Sequence, residues 1–194
     1  MENKQEIIKA LQSFLEHLGI EKNENTEKTP ERIIKAWSEM CRGINKDEEI
    51  DKILSIDFST EYTGMITFGP LNIFSLCSHH LLPIDYKVYI GYIPSNKKVI
   101  GFSKISQAIA LMASKPQNQE DFTQEVADRF IKALDPEGFG LLVLGKHHCM
   151  HARSNGIHHY NALTITSAFR RSFRTSQATR EEFYKNIDIS NQNQ

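Results

Sequence analysis

No stretch of this 194-residue chain is apolar for long enough to cross a bilayer. The longest run, near Phe139 to Leu144, falls far short of the roughly 20 residues a span needs. An excess of charge of one sign is also missing, with 23 Lys and Arg against 24 Asp and Glu. No overall field therefore gathers nucleic acid or an anionic membrane, and any phosphate must be met by a local cluster. Cysteine is scarce and odd in number, at Cys41, Cys77 and Cys149. With a polar start at Met1-Glu2-Asn3-Lys4 and no export signal, that excludes a disulfide framework and leaves metal binding or plain burial. Internal repeats are absent, and only the Asn/Gln-rich tail is of low complexity. What remains is an expected soluble, cytoplasmic chain, 40% hydrophobic and 24% charged, sized for one domain with a helical extension.

Periodicity sets the expected elements. Ile7, Ile8, Leu11, Phe14, Leu15 and Leu18 fall on one helix face, and Gly19 stands where a left-handed cap ends it. Thr29-Pro30 offers an N-cap and a first-turn proline for a second helix, whose stripe is Ile33, Ile34, Trp37, Met40 and Cys41. The polar stretch from Asn45 to Tyr62 reads as a connector with one short helix. Strands are expected from Ile66 to Leu76 and Tyr86 to Ile93, with Val99-Ile100 after a turn at Pro94-Ser95-Asn96. Ser103 opens a helix ending at Pro116, and Asn118 caps another through Phe122, Val126, Phe130 and Leu134. Further strands are expected from Gly140 to Ala152 and Tyr160 to Phe169, then a last helix near Ala178 to Ile187. The resulting class is α+β: a mainly antiparallel four-stranded sheet with two helices on one face. Residues 1–60 are expected as an N-terminal helical extension and 61–194 as the catalytic domain.

Two clusters carry chemistry. Cys77-Ser78-His79-His80 sets a thiol and an imidazole three residues apart after a strand, where a tight turn aims both at one cation. In His147-His148-Cys149-Met150-His151 the strand period points His147, Cys149 and His151 to one side. Zinc held by Cys77, His80 and Cys149 has three protein ligands and one open position, the pattern of a catalytic site. The competing account, buried thiols and chance histidines, suits either cluster alone better than both together.

Taken with Gly101-Phe102-Ser103-Lys104-Ile105, Pro116-Gln117-x-Gln119-Glu120 and Thr179-Arg180-Glu181-Glu182-Phe183, these clusters resemble the GTP cyclohydrolase I family, in order and nearly in spacing, from Thr29 to Phe183. The resemblance implies a tunnelling fold and a Zn²⁺ ion on Cys77, His80 and Cys149. It implies His79 and His147 as an acid–base pair, Ser103 and Gln119 near the ribose, and Glu120 on the guanine edge. Lys104, Arg153, Arg32 and Lys35 match its triphosphate positions; an anionic tail needs several cations, and arginine offers a fork suited to phosphate. The implied reaction is zinc-assisted attack of water on C8 of GTP, release of formate, and rearrangement to 7,8-dihydroneopterin triphosphate, the first step of tetrahydrofolate or pterin synthesis. The implied assembly is a homodecamer of D5 symmetry with active sites at subunit interfaces.

The chain departs from the family pattern at four points. Ser78 stands for a glutamate, Gln107 and Asp121 stand for arginines, and Arg153-Ser154-Asn155-Gly156 carries one extra residue. Two alternatives follow: a diverged paralogue with another purine nucleotide or a truncated reaction, and a zinc-bearing nucleotide-binding subunit without turnover.

Overall fold

The computed structural model describes residues 2–152 and 161–192. The chain divides into two compact units, Met1–Arg42 and Gly43–Gln194. In the first, α1 (Glu2–His17) stops where Gly19 takes a left-handed φ of +77°, as its capping role requires. The second helix, α2 (Thr29–Met40), begins with Thr29 already helical. Lys28 occupies the cap position, without a side-chain cap bond. The stripe on α2 is incompletely covered, with Trp37 42% exposed, because two helices alone offer too little apolar surface to enclose one another.

The second unit runs α3 (Asp47–Leu54), β1 (Asp57–Ser59), β2 (Ile66–Cys77), β3 (Pro83–Ile93), β4 (Lys98–Ile100), α4 (Phe102–Ala113) and β5 (Pro116–Gln117). It continues through α5 (Gln119–Leu134), β6 (Gly138–His147), α6 (His148–His151), β7 (Thr164–Arg171), α7 (Ser172–Thr175) and α8 (Gln177–Gln192). This takes α3, expected with the N-terminal extension, into the second unit, where Ile50 and Leu54 are buried in the core. Four long strands are antiparallel neighbours in the sheet order β5-β2-β3-β6-β7. The fifth member, β5, is a short parallel addition beyond the four strands expected, pairing Leu76 with Pro116 and Cys77 with Gln117. A separate ribbon joins β1 to β4.

Strand alternation gives the sheet two apolar faces. Val88, Ile90, Leu141 and Val143 pack on one face beneath α4 and α5, with Phe122, Val126 and Phe130 of α5 fully buried at helical spacing. Burial of each such side chain contributes about 1.5–3 kcal/mol as an upper bound. The expected pair of helices thus covers one face. The opposite face, carrying Tyr89 and Leu142, is covered as well, by Phe173 of α7 and Phe183 and Ile187 of α8. No described helix is long and apolar enough to cross a membrane.

One expected strand is shorter than its pattern suggests. The run to Ala152 leaves the sheet at His147, since His147 pairs with Ile84 at the start of β3 and, among the described residues, no partner strand extends beyond. Without ladder hydrogen bonds the backbone closes on itself as the single turn α6.

Candidate active site

The strand β2 delivers Cys77 to a tight reversal. Its N–H donates to the Leu82 carbonyl at 2.9 Å, and the Leu81 N–H donates to the Cys77 carbonyl at 2.8 Å. Leu81 turns the corner with φ +53°, a left-handed backbone that a branched side chain adopts only at a cost. Across the sheet, α6 presents Cys149, whose Sγ lies 3.9 Å from that of Cys77. One ligand atom from each of Cys77, His80 and Cys149 lies within 4.8 Å of the others. Two thiols and an imidazole are a donor set suited to zinc, and tetrahedral Zn–S bonds of about 2.3 Å put two sulfurs about 3.8 Å apart. The residues therefore fit a zinc ion.

The histidines of the second cluster diverge because α6 replaces the expected strand. His147 Nε2 meets Gln119 Oε1 at 3.0 Å, His148 Nε2 meets Asp85 Oδ2 at 2.9 Å, and His151 Nε2 meets the Ala162 carbonyl at 3.3 Å. Only His147 and Cys149 of the three expected to share a face line the cavity beside the metal ligands. This cavity, about 490 Å³, is also lined by Cys77, His79, Gln119 and Glu120.

Gln119 is expected beside the ribose, yet its carboxamide is turned into the protein and the residue is 1% exposed. Its Nε2 lies 3.1 Å from the Val143 carbonyl, 3.0 Å from that of Thr164 and 3.0 Å from Thr166 Oγ1. Three acceptors around one end fix the amide, since a flipped group would set its oxygen against them. Oε1 therefore faces His147, whose Nε2 is the donor, and the lone pair of a neutral His147 sits on Nδ1. Burial holds the His147 imidazole below its ordinary pKa, opposed by the Glu120 carboxylate and aided by His151.

The remaining candidates are dispersed. Glu120 is exposed in the first turn of α5 at the cavity rim. Ser103 is exposed at the start of α4, and Lys104 Nζ lies 3.4 Å from Gln107 Oε1; neither lines the cavity. Arg32 and Lys35 line a separate cleft in the first unit with Lys28 and Glu31, and Arg32 Nη1 donates to the Asn25 carbonyl at 3.0 Å. Arg153, the extra residue after it and Tyr160, where a strand is expected to begin, lie outside the described residues.

Two site residues escaped the sequence reading. A Cβ on Gly145 would stand 2.0 Å from Gln119 Oε1, so the space that seats the carboxamide exists only because this strand position is glycine. A glycine inside a strand was the available signal. Asn118 is expected only as the cap of α5; it makes no side-chain cap bond there, and its link to Ser78 and Asp121 is what the sequence did not show.

The family pattern of GTP cyclohydrolase I matches residues 7–188. GTP cyclohydrolase 1 of Hydrogenobaculum sp. strain Y04AAS1 is 39% identical over 188 residues, covering 96% of this chain and 99% of that protein. The Aquifex aeolicus enzyme of the same name is 39% identical over 184 residues, covering 94% and 96%. That of Desulforamulus reducens is 37% identical over 177 residues, covering 91% and 92%. Among solved structures, the apo archaeosine synthase QueF-Like aligns at 13% identity with a TM-score of 0.42, over 56% of this chain and 95% of that one, a likeness too distant to bear on the assignment. By near-complete coverage at this identity, the chain belongs to the GTP cyclohydrolase I family of tunnelling-fold hydrolases.

Proposed function

We propose that this enzyme opens the imidazole ring of GTP at C8 with a zinc ion held by Cys77, His80 and Cys149, releasing formate and yielding 7,8-dihydroneopterin triphosphate. The observation that carries the reading is the convergence of those three ligand atoms within 4.8 Å at the edge of a cavity large enough for a base. When bound, the ion supplies Lewis acidity that activates water near neutral pH.

The protein groups around it have separable tasks. His147, holding its Nε2 proton toward Gln119, keeps Nδ1 available to accept a proton. His79, whose Nδ1 is 3.7 Å from Cys77 Sγ, is the second member of the acid–base pair. Glu120 offers a carboxylate to the N–H donors of a guanine edge. Gln119 acts through His147. Ser103 beside the ribose, and Lys104, Arg153, Arg32 and Lys35 as cations for the triphosphate, rest on the motif match.

An assembled state, the D5 decamer of the family resemblance, is supported by apolar side chains exposed on β2 and β7, with Phe74 70% and Ile165 61% exposed. Sedimentation velocity tests it.

The reaction is tested by formate and pterin product from GTP, with metal analysis of the same sample. Turnover that falls to background on chelation and returns with Zn²⁺, and is lost in Cys149→Ser, is the expected result. Full turnover by protein free of divalent metal would overturn the reading.

A further inference from the structure

Asn118 lies between two of the positions where this chain leaves the family pattern. Ser78 Oγ donates to Asn118 Oδ1 at 2.5 Å, and Asn118 Nδ2 donates to Asp121 Oδ2 at 3.3 Å. The three side chains span from the turn after β2, which carries the proposed metal ligands Cys77 and His80, to the first turn of α5, which carries Gln119 and Glu120.

The backbone sets up this link. The parallel pairing of β2 with β5 ends at Cys77 and Gln117, and the Ser78 N–H reaches the Gln117 carbonyl at 3.4 Å. Ser78 and Asn118 are the next residues on each strand, so their side chains extend the ladder by one step after the main chains diverge. The carboxamide is committed at both ends, the oxygen to Ser78 and the nitrogen to Asp121. That commitment accounts for an N-cap asparagine whose side-chain oxygen caps no backbone N–H of its own helix. Ser78 and Asp121 are compatible for the same reason: a hydroxyl presents a donor to Oδ1, and a carboxylate presents an acceptor to Nδ2.

We propose that Asn118, bridged to Ser78 and Asp121, is a positioning residue that holds the base-binding turn of α5 in register with the metal-binding turn. The inference rests on the reading of Glu120 as the guanine-edge acceptor. With the bridge in place, Glu120 is presented to the base at a fixed distance from the Cys77–His80 turn. Without it, the first turn of α5 keeps its helical hydrogen bonds but loses its lateral tie, and the carboxylate samples positions that do not match the base.

The test is steady-state kinetics of formate release from GTP on the metal-loaded enzyme, with zinc content measured alongside. Asn118→Val removes the bridge at similar volume. Its expected effect is a KM for GTP raised roughly tenfold, the scale of one hydrogen bond's net contribution, with kcat changed less and zinc content at the wild-type level. Asp121→Ala should match it, the double variant should be no worse than Asn118→Val alone, and Asp121→Asn, which keeps an acceptor oxygen, should restore most of the loss. If Asn118→Val does not fold, Ser78→Ala deletes a single hydroxyl and gives the same readout. Wild-type KM in Asn118→Val, additive losses in the double variant, or Asp121→Asn as impaired as Asp121→Ala would each overturn the bridge. Glu120→Ala separates the two levels. A raised KM there beside an ordinary one in Asn118→Val overturns the bridge alone, whereas an ordinary KM in Glu120→Ala overturns the base-binding reading and this inference with it.

Discussion

Replacing Gln119 by leucine keeps the volume of a fully buried side chain and deletes its carboxamide. Its two N–H protons serve the Val143 and Thr164 carbonyls and Thr166 Oγ1, and its oxygen receives the His147 Nε2–H. Thr166 keeps Thr123 Oγ1 as a partner at 2.6 Å, so the groups that lose most are the two carbonyls and the imidazole. At about 1–3 kcal/mol for each buried polar group deprived of its partner, and with some relaxation, the expected loss is about 2–4 kcal/mol, a large share of a typical domain's stability. Urea unfolding followed by circular dichroism measures this as a fall in midpoint at constant slope. Formate release under native conditions reads the second consequence. An imidazole no longer held by Nε2 can adopt either tautomer and rotate, so kcat should fall by about two orders of magnitude, as expected when a general acid–base group is misplaced. Gln119→Glu is the stricter arm, since it keeps shape and an oxygen toward His147 but offers at most one donor, as the protonated acid, where the amide offered two. It should be as unstable as Gln119→Leu and retain more turnover. A stability loss under about 1 kcal/mol with normal kcat in Gln119→Leu would refute the reasoning, because the hydrogen bonds would then hold neither the sheet nor the imidazole.

Further predictions come from the packing and the charges. Gly145→Ala should lower kcat more than stability, because the new methyl would meet Gln119 Oε1 at 2.0 Å and displace the carboxamide from His147; comparing formate release with the unfolding midpoint checks it. Gly140→Ala, whose methyl would stand 2.3 Å from the Phe173 ring, should instead cost about 1–3 kcal/mol of stability by overpacking, read as a lower thermal midpoint. The Asp51 carboxyl is held below its ordinary 3.8, first by the hydrogen bond from Lys132 and then, against the effect of burial, by Arg129. A depressed folded pKa contributes stability above the unfolded value and loses it as pH falls through the folded one. Lys132→Met should therefore be less stable than the parent at neutral pH and converge with it in acid below about pH 4, in urea titrations across that range.

Much of the site was legible because its chemistry is local. Cys77 and His80 sit three residues apart in one turn, and the shared face of Phe122, Val126 and Phe130 was visible as a helical period that packs against the sheet. The sequence by itself determined the α+β class and the order of most elements, which follow from residue type and spacing along the chain, and through its motifs' resemblance to a known family it indicated the family and the three candidate metal ligands. Only the tertiary structure decided that β6 stops at His147 and that His148 and His151 turn to Asp85 and Ala162, because a strand lasts only as long as its neighbour. It likewise decided that Gln119 faces His147 through space left by Gly145, and that Ser78, Asn118 and Asp121 join. Apart from Asn118 and Asp121, three residues apart at the start of α5, those partners are separated by 26 to 40 residues, and hydrogen bonds between them exist only after β2, β5, α5 and β6 have been brought side by side.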